Sequence, residues 1–180
     1  MAHWNPDGKL AVITGASSGI GRCLSKRLFH SGCRVIAVAR REQRLADLGH
    51  ELSGLSVQGK RAFVPITGDI TDEDVHAAIQ SRVRSLGGSL DLLVNNAGVG
   101  GIGPFEQAEE ARLRKIMEVN FFAPAQLTRR LLPSLKSSND AVICNIGSVL
   151  GHRAVPDKSE YCASKFALHG WSDALRAELA

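Results

Sequence analysis

Five short apolar runs separated by helical patterns leave this chain few folds to choose from. They read LAVIT at 10–14, RVIAVA at 34–39, RAFVPIT at 61–67, LDLLV at 90–94 and AVICNI at 141–146. Strands that are apolar throughout, rather than alternating, are buried on both faces, and a helix in each gap supplies the crossover and the cover that parallel neighbours need. The pattern predicts an α/β fold, a Rossmann-like doubly wound parallel sheet. Pro65 interrupts the third run. Proline cannot donate to a ladder, so that strand belongs at an edge, which the order 3-2-1-4-5 provides. Thr71 with Asp74 has the spacing of a capping box opening the next helix. With 180 residues, no internal repeat and no low-complexity tract, a single domain over 1–180 is expected.

Other classes of protein fit poorly. A net charge of +4 is mild, and the basic residues fall in scattered pairs such as Arg40-Arg41 and Arg129-Arg130, with no basic block to read nucleic acid. There is no run of eighteen apolar residues and no leader pattern at the N-terminus, so neither a membrane span nor secretion is expected and the location is read as cytoplasmic. Cysteines at 23, 33, 144 and 162 make no CxxC pair, and the six histidines have no metal-ligand spacing; no metal is expected.

After the first run comes TGASSGIGR, with Gly15, Gly19 and Gly21 at the strand-to-helix turn. Glycines there permit a tight turn and close approach of a pyrophosphate to the backbone, and the helix N-terminus supplies free N–H groups and a favourable dipole. The spacing is T-G-x-x-x-G-x-G, not the general G-x-G-x-x-G. Residues 15–19 also spell G-x-S-x-G, the nucleophile elbow of a serine hydrolase with Ser17 as nucleophile. That reading lacks a downstream histidine with an obvious acid partner. Beyond the second run, Arg40 stands where a nucleotide ribose would lie. Its charged fork suits a 2'-phosphate, so NADP(H) is preferred over NAD(H), with Ser17 as a second phosphate contact.

In SEYCASKFALHG, Tyr161 and Lys165 are four apart and share one face of a helix. A cation beside a phenol favours phenolate, which would let Tyr161 carry protons. With TGASSGIG at 14–21, NNAG at 95–98, Asn120 in MEVNFFAP, Ser148 in NIGS and YCASK at 161–165, the sequence resembles the classical short-chain dehydrogenases/reductases. The glycine spacing sets it apart from relatives that act on nucleotide sugars.

The resemblance implies an oxidoreductase that interconverts a carbonyl and a secondary alcohol by hydride transfer. Tyr161 would give or take the proton and Ser148 would bond the substrate oxygen. Lys165 would bond the nicotinamide ribose and favour the Tyr161 phenolate, and Asn120 would hold a water in a proton relay. The cofactor would be held by Gly15, Ser17, Ser18, Gly19, Ile20, Gly21 and Arg40. Asp69 and Ile70 would meet its adenine, Asn95, Ala97 and Gly98 would close over it, and Tyr161 and Lys165 would complete the site.

The loops VGGIG at 99–103 and VLGHRAVPD at 149–157 are mostly small or apolar apart from His152 and Arg153, so a lipophilic small-molecule carbonyl or alcohol is the expected substrate. Helices at 105–137 and 157–180 carry apolar surface, and their family equivalents commonly pair, so a homodimer or homotetramer is expected. The sequence stops inside the helical pattern WSDALRAELA, where family members continue. This gives the expectation of a fold truncated after the helix carrying Tyr161 and Lys165, its C-terminal part absent. A truncated, non-catalytic dinucleotide-binding or family-partner-binding protein is the alternative.

Overall fold

The computed structural model describes residues 4–53 and 62–179. Arg61, the first residue of the third apolar run, and Ala180 lie outside them, as does His3. The chain forms two compact units, one from residues 4–97 and 127–144, the other from 98–126 and 145–179.

The first unit is built on a parallel sheet of β1 (Leu10–Thr14), β2 (Arg34–Ala39), β3 (Phe63–Thr67), β4 (Leu92–Asn95) and β5 (Val142–Asn145) in the order β3-β2-β1-β4-β5. β5 belongs to this unit up to Cys144. In register, Leu10 lies beside Arg34 and Thr14 beside Val38; Ala11 lies beside Leu92; Val35 lies beside Phe63. The side chains explain the order. β1, β4 and all of β2 after its first residue are buried, while β3 is half-exposed. Pro65 pairs with Ala37 on that edge strand, as the missing proline N–H requires.

Helices α1 (Gly19–His30), α2 (Glu42–Ser53), α3 (Glu73–Ser85) and α5 (Ala123–Lys136) flank the sheet, the last contributing from Leu127 onward. Their buried residues recur at helical spacing: Leu45, Leu48 and Leu52; Ile79 and Val83; Leu127, Leu131 and Leu135. Each such fully buried aliphatic side chain contributes about 1.5–3 kcal/mol over an exposed one.

One expected local feature is replaced by another. The helix after β3 is capped at Asp72 rather than Thr71, and no side-chain capping bond forms. Thr71 instead donates from its backbone N–H (3.1 Å) and its hydroxyl (3.0 Å) to the carboxylate of Asp69, two residues earlier. An ionised acceptor at i−2 closes a turn of its own and outcompetes the box.

The second unit contains α4 (Glu110–Met117), a widened π-type turn at Glu118–Phe122, the start of α5 and the long helix α6 (Ser159–Glu178), with short 3-10 turns at Phe105–Gln107 and Val149–Gly151. The inner side of α6 is largely polar: Glu160, Ser164 and Lys165 are buried beside Cys162 and Leu168. Buried charge needs a partner. Glu160 has Arg112, whose Nε and Nη2 donate to it at 2.9 and 2.6 Å.

β1 is anchored at its start by Asp91. This carboxylate accepts from the Leu10 N–H (2.8 Å), the Ser138 hydroxyl (2.8 Å) and the Lys9 ammonium (3.3 Å). Burial pushes the Asp91 carboxyl up, but these donors outweigh it and hold the group below its ordinary value of 3.8. Asp91→Ala would leave the Leu10 N–H without its partner, and urea unfolding at neutral pH is expected to show a loss of about 1–3 kcal/mol. A group held low contributes fully above its ordinary value and loses that contribution as pH falls through the lowered one, so wild type and variant should converge in acid.

Candidate functional site

In the first unit, Gly15 (φ +68°) and Gly19 (φ +54°) turn the chain from β1 into α1 through a conformation that side chains resist. Thr14 and Asn96 set the shape of this turn. The Thr14 hydroxyl oxygen accepts the N–H groups of Asn96 and Ala97, each at 3.0 Å, and donates to the Val94 carbonyl at 3.3 Å. The Asn96 amide nitrogen donates to the carbonyls of Thr14 (2.9 Å) and Gly15 (3.3 Å). That amide occupies the space in which side chains at 15 and 21 would stand. A Cβ on Gly21 would lie 2.6 Å from the Gly15 carbonyl oxygen.

Ser18 begins α1 without a side-chain cap, and Gly19 faces open space. Ile20 is exposed. The first N–H groups of α1 therefore meet the surroundings without a serine cap, as an anion site requires.

Arg41 lies across the loop. Its Nη2 donates to Ser17 Oγ (2.8 Å) and Ser18 Oγ (2.6 Å), and its Nε to Ser17 Oγ (3.1 Å). The Ser17 hydroxyl oxygen thus accepts from a guanidinium, the opposite of the imidazole acceptor that a hydrolase nucleophile needs. Arg40 instead points to Asp69, with Nη1 3.5 Å from Oδ2. The Ile70 carbonyl meets the ring of His76 at 2.6 Å. Burial holds His76 below the ordinary histidine value. Asn95 is buried and donates to Thr128 Oγ1 at 3.1 Å, inward from the turn that Ala97 forms.

The second unit begins at Gly98 and holds the other four candidates. Asn120 falls in the widened turn rather than in a regular helix, a kind of irregularity that often marks functional sites. Both of its amide N–H groups are used: Oδ1 accepts from Val99 N–H (2.9 Å), and Nδ2 donates to the Val99 carbonyl (2.9 Å) and to Ser164 Oγ (3.0 Å). Lys165 is buried and donates to the Ile146 carbonyl at 2.8 Å. Its ammonium lies 5.8 Å from the centre of the half-buried Tyr161 ring. Burial lowers the Lys165 pKa. Ser148 Oγ accepts from the Leu150 N–H at 3.1 Å, and its hydroxyl proton makes no hydrogen bond among the described residues.

A model of the short chain dehydrogenase family matches residues 9–180. The chain belongs to that family. A Drosophila melanogaster protein, "Dehydrogenase/reductase SDR family protein 7-like", is 36% identical over 173 residues, covering 96% of this chain and 53% of that one. Mus musculus "Dehydrogenase/reductase SDR family member 7B" is 36% identical over 171 residues, covering 94% of this chain and 53% of its own. The chain spans about half the length of these relatives. Among solved structures, a metagenomic short-chain oxidoreductase in complex with NADP is 33% identical with a TM-score of 0.89, covering 98% of this chain and 78% of that one.

Against this short-chain dehydrogenase frame, sequence reasoning missed Thr14, Asn96 and Arg41. Asn96 stands inside the NNAG motif, and nothing in the motif sets it apart from Asn95. Arg41 adjoins Arg40, and nothing in the sequence says which arginine turns back over the serines.

Glycine to alanine inside a helix ordinarily gains about 1 kcal/mol. In this short-chain dehydrogenase the sign should reverse at Gly21, where the added methyl meets backbone. Gly21→Ala is expected to lower the thermal midpoint, whereas Gly49→Ala, whose Cβ would make only 3.4 Å contacts with the Phe63 ring, should not.

Proposed function

We propose that this chain carries the site of an NADP(H)-dependent oxidoreductase interconverting a carbonyl and a secondary alcohol, with Tyr161 as proton donor and acceptor. The observation that carries this reading is the pair on α6: the ammonium of Lys165, buried and fixed by the Ile146 carbonyl, 5.8 Å from the centre of the Tyr161 ring. A cation held there stabilises negative charge developing on the phenol oxygen.

The residues present suit a dinucleotide. Gly15 and Gly21 keep the loop free of side chains, and the uncapped start of α1 offers N–H groups to phosphate oxygens. Ser17, Ser18, Gly19 and Ile20 would line the pyrophosphate, Asp69 and Ile70 the adenine, and Ala97 and Gly98 the following turn. Asn95 would act from behind that turn, through its bond to Thr128. Arg41 and Arg40 would hold a 2'-phosphate, the former already set over Ser17 and Ser18. The NADP complex of the metagenomic relative supports this choice. When bound, the cofactor supplies or accepts the hydride.

The chain's own side chains would do the rest. Tyr161 would hold the proton at the substrate oxygen, and the Ser148 hydroxyl, whose oxygen already accepts from Leu150, would donate its proton to the same oxygen, orienting it and stabilising charge there. Asn120 ties Val99 to α6 through Ser164. A relay water at this residue would use the remaining lone pair of Asn120 Oδ1. Ile102, Phe105, Val149 and Val155 are exposed, which supports a lipophilic substrate. Phe122 and Phe166, exposed on helical segments of the second unit, support pairing with a second copy in a homodimer or homotetramer.

Tyr161→Phe is expected to lower carbonyl reduction at least about 10²-fold while nicotinamide fluorescence shows NADPH binding unchanged. Retained turnover would remove Tyr161 from the role. Arg41→Ala and Arg40→Asp should each weaken NADPH binding about 10-fold or more and NADH binding much less, as loss of a charged hydrogen bond implies; equal losses would overturn the cofactor preference. A sedimentation profile of a concentration-independent monomer would overturn the pairing.

A further inference from the structure

We infer that His169 is a positioning residue for Ser148: its neutral imidazole accepts the Ser148 main-chain N–H and forms the floor on which the 147–151 turn is built. The inference rests on the reading above only for what the Ser148 hydroxyl does.

His169 lies one helical turn beyond Lys165 on α6, so it shares that residue's face. Its Nε2 is 3.4 Å from the Ser148 backbone nitrogen, a long hydrogen bond in which the ring is the acceptor. The ring also sits against two glycines. A Cβ on Gly151 would lie 2.9 Å from His169 Cδ2, 3.0 Å from Nε2 and 2.8 Å from the Lys165 carbonyl oxygen. A Cβ on Gly147 would overlap Nε2 and stand 3.1 Å from both Cδ2 and Cε1. The imidazole alone thus fills the space at Gly147, and at Gly151 it does so together with the Lys165 carbonyl. Ser148 Oγ belongs to the same turn through its bond from the Leu150 N–H. The direction of the hydroxyl follows from where the ring holds the backbone.

A histidine serving only as filler would be replaceable by any side chain of similar volume. An acceptor is not, because it needs a lone pair on Nε2 and hence the ring proton on Nδ1. Protonation would place an N–H at Nε2 facing the Ser148 N–H, two donors with no acceptor between them, and the turn would have to open. The charged and titratable groups around the ring are His152 from the turn, edge-on at 4.1 Å between ring centres, and Lys165 and Asp173 from α6. Burial first, then His152 and Lys165, hold His169 below the ordinary value of 6.5, with Asp173 pulling the other way. A group held low keeps its neutral form fully above the ordinary value and loses it as pH falls through the lowered one. The Ser148 turn should therefore be intact at neutral pH and released only in acid.

The test follows the His169 ring and the Ser148 amide of the whole chain by heteronuclear NMR between about pH 5 and 8, the range in which imidazoles titrate. The Ser148 amide is expected to move with the midpoint of His169 itself, below 6.5, and the neutral ring to carry its proton on Nδ1. His169→Gln, whose amide oxygen can still accept, should keep the neutral-pH Ser148 signal and lose the pH step. His169→Leu should lose that signal at every pH. A Ser148 amide that stays flat while His169 titrates, a neutral ring protonated on Nε2, or a His169→Leu spectrum unchanged at Ser148 would each overturn the inference. If His169→Leu does not fold, the wild-type titration and tautomer decide. Coupled signals in a chain without reductase activity would uphold this inference and count against the proposed function. Flat signals in an active chain would do the reverse.

Discussion

The glycine-loop side of this protein depends on one cluster of hydrogen bonds, the clasp between Thr14 and Asn96. Thr14 ends β1 and Asn96 follows β4, its neighbour in the sheet, and the two exchange bonds through side chains and backbone. Each bond contributes only about 0.5–1.5 kcal/mol. Their effect on geometry is larger, because the Asn96 amide stands against the backbone of the loop and excludes side chains at 15 and 21. The glycines that make the loop a cradle are thus required from behind, by the clasp, as well as from in front, by any phosphate that docks there.

The second unit follows a different rule. Its central helix buries a carboxylate, a hydroxyl and an ammonium where a helix built for stability would bury leucines. Each has a partner: Glu160 with Arg112, Ser164 with Asn120, Lys165 with the Ile146 carbonyl. The Glu160 backbone N–H and the Arg112 guanidinium hold that carboxylate below its usual range. Burying polar groups, even when paired, contributes less than apolar packing would. What such a face fixes is the place of Lys165, held by the Ile146 carbonyl beside the Tyr161 ring.

Much of the fold was legible because strand burial and helix periodicity are local. All five strands lie within the apolar runs or one residue beyond, the sheet order is 3-2-1-4-5, and Pro65 sits on the edge. The departures have separate causes. Thr71 bonds to Asp69 instead of capping α3, because two acceptors competed and spacing alone could not rank them. Asn120 lies in a widened turn, since a single extra residue per turn leaves no mark on an apolar pattern. Asn96 is not distinguishable from Asn95 by pattern, because neighbouring asparagines face opposite ways once the strand ends, one toward Thr128 and the other toward Gly15.

By itself the sequence determined the strands, their order, the glycine cradle and the pairing of Tyr161 with Lys165, because each rests on spacing within one element or on the short-range steric demands of glycine and proline. Tertiary structure alone decided which arginine covers the serines, which asparagine locks the loop and what lies under Ser148. Those contacts join residues 24, 82 and 21 positions apart. Which of several chemically equivalent side chains makes such a contact is set by where the packed backbone points it, and no local pattern encodes that direction.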